Sequence, residues 1–124
     1  MKVRLRNNTI RLRMDMADLK ILKSSGNLLM ETPFPSGKIE WKVEVSQQVS
    51  EVAVDLAERL VTIQLPIETF RNWANTELVG LEKGVELGNG DFLQVLIEKD
   101  FKCLTQRDEN DDDAFPNPLE KHNC

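Results

Sequence analysis

Five cations recur at alternate positions on either side of an Asn-Asn pair: Lys2, Arg4 and Arg6 before it, Arg11 and Arg13 after it. In an extended strand that period places them all on one face, and guanidiniums gathered on a face take phosphate or carboxylate groups bidentately. The chemistry they suit is anion binding. A second set, Cys103, His122 and Cys124, offers the thiolate and imidazole ligands that zinc prefers. It has no Cys-x-x-Cys pair, and the competing reading is a small apolar Cys103 with two unrelated terminal residues. A third set, Asp108, Asn110 and Asp112, has the spacing of the first ligands of an EF-hand. Asp113 stands where that loop needs glycine and Leu119 where it needs a bidentate glutamate, so the EF-hand is rejected. Catalytic groups are few: one histidine, no phosphate-cradling glycine loop and no nucleophile elbow. The inventory points to binding and away from an enzyme.

The elements that would position the cations follow from the turn. Asparagine tolerates the positive φ of a tight two-residue hairpin turn, so Asn7-Asn8 sets a register in which Arg6 meets Thr9, Leu5 meets Ile10, Arg4 meets Arg11, Val3 meets Leu12 and Lys2 meets Arg13. One face is apolar, with Val3, Leu5, Ile10, Leu12 and Met14; the other carries the cations. Like charges opposite one another on a sheet are destabilising, so a group outside the hairpin must offset them. Glu and Asp on neighbouring strands, or an acidic segment elsewhere in the chain, would do so.

The hairpin recurs 51 residues on, where Asn7-Asn8 falls on Glu58-Arg59 and the apolar face is reproduced as Val54, Leu56, Val61, Ile63 and Leu65. The match runs on at helical spacing, with Met16, Leu19 and Leu22 on Ile67, Phe70 and Trp73, and then places Leu28 and Met30 on Val79 and Leu81. Two copies of one β-β-α-β-β unit are implied. The cations do not recur, since Lys2, Arg4, Arg6, Arg11 and Arg13 become Ala53, Asp55, Ala57, Thr62 and Gln64. A fold needs the apolar face twice, whereas these charges are needed once.

Asp15 reads as a helix N-cap and Gly26 as the left-handed residue that ends the helix. Strands are expected over Leu28 to Thr32 and Lys38 to Ser46, then Leu78 to Leu87, where Gly80 and Gly84 read as bulges, and Phe92 to Glu98. Pro66 suits the first turn of the second helix, and Trp41 and Trp73 read as core. Residues 100–124 lose all periodicity and read as an acidic, proline-containing tail partly docked on the domain through Phe101, Leu104, Phe115 and Leu119. The 124 residues suit one domain, with a net charge of −5. That charge is polarised: residues 1–23 hold seven bases and two acids, and residues 100–124 hold three bases and seven acids. No apolar run is long enough for a membrane span or a signal peptide, so a cytoplasmic location is expected.

The run from Arg59 to Arg71, RLVTIQLPIETFR, followed by strand-turn-strand, resembles the swapped-hairpin barrels of AbrB- and MazE-type regulators and antitoxins. The resemblance implies a barrel built from two units, here a monomeric pseudo-dimer, and DNA contact through a basic hairpin. Asp15 replaces the proline in the first unit and the basic face is single, departures from a two-fold DNA reader. The pattern M-K-x-R-x-R…I-R-L-R at Met1 to Arg13, with I-E-K-D-F-x-C-L-x-x-R at Ile97 to Arg107, the acidic run and F-P-N-P at Phe115 to Pro118, is similar to a set of short uncharacterised bacterial proteins. That resemblance implies no activity.

The expectation is an α+β domain over residues 1–99, with repeats 2–45 and 51–99 forming a small barrel or packed sheets. It would be a monomer or weak homo-oligomer that binds an anionic partner through Lys2, Arg4, Arg6, Arg11 and Arg13. A DNA-binding regulator, and a zinc or thiol protein centred on Cys103, His122 and Cys124, are the alternatives.

Overall fold

The turn at Asn7-Asn8 closes as its residue types require, with φ +49° at Asn7. In the computed structural model, which describes residues 1–102, 115, 116 and 118, it joins β1 (Lys2–Arg6) to β2 (Thr9–Met14) in the register derived from the sequence, with all five pairs present. Asp15 then caps α1 (Met16–Ser25), accepting from the Asp18 N–H while the Asp18 carboxylate accepts from the Asp15 N–H. This reciprocal pair satisfies two N–H groups that a helix start otherwise leaves open. Gly26 ends the helix at φ +77°, its N–H bonded to the Leu22 carbonyl. β3 (Asn27–Phe34) and β4 (Gly37–Ser46) complete the first unit.

The second unit repeats the order: β5 (Ala53–Ala57), β6 (Leu60–Pro66), α2 (Ile67–Ala74), β7 (Gly80–Glu86) and β8 (Phe92–Lys99). Pro66 is the N-cap and the last residue of β6, one place before the helix, because its ψ of 140° is still that of a strand. The two units do not form one sheet each. Hairpin β1-β2 joins hairpin β7-β8 in a sheet of order β1-β2-β8-β7, and β3-β4 joins β5-β6 in a sheet of order β3-β4-β6-β5. The seams, β2 with β8 and β4 with β6, are parallel. Each sheet thus takes one hairpin from each unit.

One core joins both sheets: Ile10, Leu12 and Met14 of β2, Val95 and Ile97 of β8, Trp41 and Val43 of β4, Ile63 and Leu65 of β6, with Leu22, Phe70 and Trp73 from the helices. Trp73 is fully buried, meets Phe70 edge to face at 6.2 Å, and donates its indole N–H to the Val79 carbonyl at 3.1 Å. Met16 does not join the apolar stripe expected of it and is 88% exposed; the buried positions of α1 are Asp18 and Leu22. The repeat also changes phase after the helices. Leu28 pairs with the buried Val43, and the residue so placed in the second unit, beside the buried Ile97, is Leu81. The segment between α2 and β7 is longer than Gly26 between α1 and β3, which moves Val79 outside the strand.

Gly80 and Gly84 do not mark bulges, since β7 and β8 pair residue for residue from Gly80↔Glu98 to Glu86↔Phe92. They mark close approach. A Cβ on Gly80 would lie 2.7 Å from the Ile97 carbonyl oxygen and 3.0 Å from Glu98 Cγ, and one on Gly84 would lie 3.3 Å from the Phe92 ring.

Candidate functional site: the outer face of the first sheet

The apolar halves of β1, β2 and β8 face the core, so the alternate residues face outward and form rows across the sheet. One row runs Lys2, Arg13, Glu98 and Gly80; the next runs Arg4, Arg11, Leu96 and Glu82. The face is therefore basic over β1 and β2 and acidic over β8 and β7. Glu98 sits on the boundary between them. Its carboxylate lies 3.1 Å from Arg11 Nε and 3.9 Å from Arg13 Nε. Oε1 is shielded from solvent and receives no well-aligned hydrogen bond among the described residues, so charge proximity holds it there rather than a directional bond. The chain then leaves β8, the Asp100 N–H donating to the Met14 carbonyl at 2.7 Å, and the Asp100 carboxylate meets Lys2 Nζ at 2.8 Å. Arg6 is exposed near the turn.

The repulsion between Lys2 and Arg13, and between Arg4 and Arg11, is thus offset in part by two acids from the other end of the chain. A shallow groove of about 180 Å³ remains, lined by Lys2, Val3, Arg4, Arg11 and Arg13. The five cations singled out from the sequence do share a face, and four of them line this groove. Glu98 and Asp100 were not identified from the sequence as members of the site. Alternation in the last strand puts Glu98 opposite in sense to Ile97, but only the parallel seam shows which strand it lies beside. Gly80 belongs with them, because its missing side chain leaves room for Glu98.

At the base of the same hairpin, the Met1 amino group makes a 2.8 Å ion pair with the Asp18 carboxylate, and the Met1 side chain is almost wholly buried. The Asp18 N–H, first, then the Asp18 side chain and the nearby amino group hold the Asp15 carboxyl below the ordinary aspartate range.

Among the described residues there is no cluster of three groups able to hold a metal ion. Cys103, His122 and Cys124, and the acidic run from Asp108 to Asp113, lie outside the described residues. No described helix is long and apolar enough to cross a membrane.

Fold and face together define a small α+β protein whose two repeats interleave and whose outward cations on the first sheet belong to one repeat's hairpin. The chain belongs to a family of unknown function, DUF7009, whose model matches residues 1–119. No curated protein and no solved structure matches it.

Proposed function

We propose that this is a non-enzymatic binding protein whose basic hairpin face receives an anionic partner: its own acidic segment, another protein or a phosphate-bearing ligand. The observation that carries the reading is the asymmetry between two otherwise corresponding hairpins. Lys2, Arg4, Arg6, Arg11 and Arg13 form a continuous outward face on β1 and β2, and the second unit has Ala53, Asp55, Ala57, Thr62 and Gln64 in their place. Cross-strand cation pairs cost stability, and a fold that can be built without them, as β5 and β6 are, keeps them for another purpose.

The test is titration of the full chain at low salt with labelled polyglutamate, polyphosphate and a short DNA duplex, in parallel with the Arg4→Glu/Arg6→Glu variant. Binding of at least one probe is expected to weaken as salt rises and by roughly tenfold or more in the variant. Replacing Asp108, Asp111, Asp112 and Asp113 by Asn should strengthen it if that run competes for the face. No binding of any probe, even by the Asn-substituted chain, would overturn the reading. Strong preference for the duplex would select the DNA-binding alternative.

A further inference from the structure

Resting on the anion-binding reading of the same hairpin, we infer that β1 is the docking edge for an extended acidic peptide, which adds to the first sheet as a fifth strand beside β1. The backbone argument comes first. β1 is an edge strand in the order β1-β2-β8-β7. A two-residue hairpin turn is closed by a hydrogen-bonded pair, here Arg6 with Thr9, and in an antiparallel ladder bonded and non-bonded pairs alternate. Lys2, Arg4 and Arg6 therefore bond inward to β2, and the N–H and C=O groups of Val3 and Leu5 point to the open edge. Among the described residues no loop, cap or turn bonds to them.

The side chains select what can pair there. Lys2, Arg4 and Arg6 stand at alternate positions, about 6.8 Å apart along the strand, which is also the spacing of carboxylates at alternate positions of an added strand. Asp100, just past β8, shows that Lys2 on this face takes a carboxylate, at 2.8 Å. On the opposite face of the edge, Leu5 is 61% exposed and can be covered by apolar residues lying between the acids. The other three edges do not offer the same match: β3 carries Pro33, β5 carries Asp55 at its centre, and β7 alternates Gly80, Glu82, Gly84 and Glu86. Acids on β5 and β7 repel an acidic strand. Cations on β1 equally repel a second β1, so the edge is guarded against its own copies but open to the opposite charge. Main-chain bonds would supply affinity and the alternating charges the register.

The full-length chain is titrated with a blocked, labelled peptide Glu-Val-Glu-Val-Glu-Val-Glu and with its isomer Val-Val-Val-Glu-Glu-Glu-Glu. Amide hydrogen exchange is followed at Val3 and Leu5, and the Leu5→Pro variant is titrated alongside. Proline at this position deletes an outward N–H and leaves every charge and every bond to β2 in place. The expected result is binding of the alternating peptide about tenfold tighter than the isomer, slowed exchange at Val3 and Leu5, and loss of that preference in Leu5→Pro. Equal affinity for the two peptides without protection of Val3 and Leu5 overturns strand addition and leaves the anion-binding reading intact. Failure of both peptides together with polyphosphate and duplex overturns both. If Leu5→Pro does not fold, exchange at Val3 and Leu5 in the unaltered chain decides alone.

Discussion

Glu98 and Glu44 occupy corresponding places in the two sheets, each next to the parallel seam, yet their surroundings differ. Glu98 faces Arg13 across the seam and lies 3.1 Å from Arg11; Glu44 faces Gln64 and pairs with Lys42 on its own strand, at 3.9 Å. The same backbone thus carries a cross-strand charge cluster in one sheet and a local surface pair in the other. The difference teaches that the apolar half of each hairpin builds the fold, whereas the outward half is free to diverge. Leu5 and Leu56 show the same freedom at the apolar margin: they correspond in the repeat and are 61% and 71% exposed.

The comparison can be broken most severely in the shared core. Leu22 and Trp73 correspond in the two helices and both are buried. Leu22→Ala is expected to cost about 2–5 kcal/mol and Trp73→Ala about 3–5 kcal/mol, the tryptophan also losing its bond to Val79. Urea denaturation should show one cooperative transition in both variants, because the core belongs to both units. Separate transitions for the two halves would refute that.

Capping separates the two helices next. Asp15 caps α1 through its side chain, and Pro66 at the start of α2 does not. Asp15→Ala should destabilise the fold at neutral pH, by removing the side-chain cap of α1. Because the folded-state pKa of Asp15 is lowered, its stabilising contribution is present above the ordinary aspartate pKa of about 4 and is lost as pH falls through the lower folded value. The stability difference between wild type and Asp15→Ala, measured by denaturation at a series of pH values, should therefore shrink only below about pH 4. A constant difference down to the lowest pH would rule the carboxylate out as the cause.

The charge cluster is a smaller term. Glu98→Gln should cost about 1 kcal/mol, since the pair is only partly withdrawn from water, and Glu44→Gln should be close to neutral. If the two cost the same in thermal melts, the seam cluster contributes nothing beyond a surface pair.

The turns give the finest contrast. Asn7 and Glu58 both hold positive φ, +49° and +55°. Asparagine adopts that region at less cost than glutamate. Glu58→Asn is expected to stabilise by a few tenths of a kcal/mol to about 1 kcal/mol, and Asn7→Glu to destabilise by a similar amount. A melting temperature unchanged by either would mean that the two turns impose no residue preference.

Most local structure was legible from residue chemistry. The register of β1-β2, the Asp15 cap and the Gly26 terminus follow from turn and capping residues, the register of β5-β6 from the 51-residue repeat, Trp41 from period-two alternation and Trp73 from helical spacing. Met16 has the spacing of the stripe, but α1 turns Asp18 and Leu22 inward and leaves Met16 on its outer side. The parallel seams were not readable, since β2, β4, β6 and β8 all alternate alike and a period cannot name a neighbour. For the same reason the cations could be found from the sequence and their partners could not. Glu98 reaches Arg11 only because the last strand is laid beside the second.

That interleaving has a consequence for how the molecule comes into being. Thr9 pairs with Gln94, so one seam joins residues separated by most of the chain's length. During synthesis the first hairpin must wait, with one side of β2 unpaired, until nearly the whole sequence has been made, and distant pairings of this kind are slow to close. A duplicated unit usually invites assembly one copy at a time; here neither copy can close a sheet until the other is present.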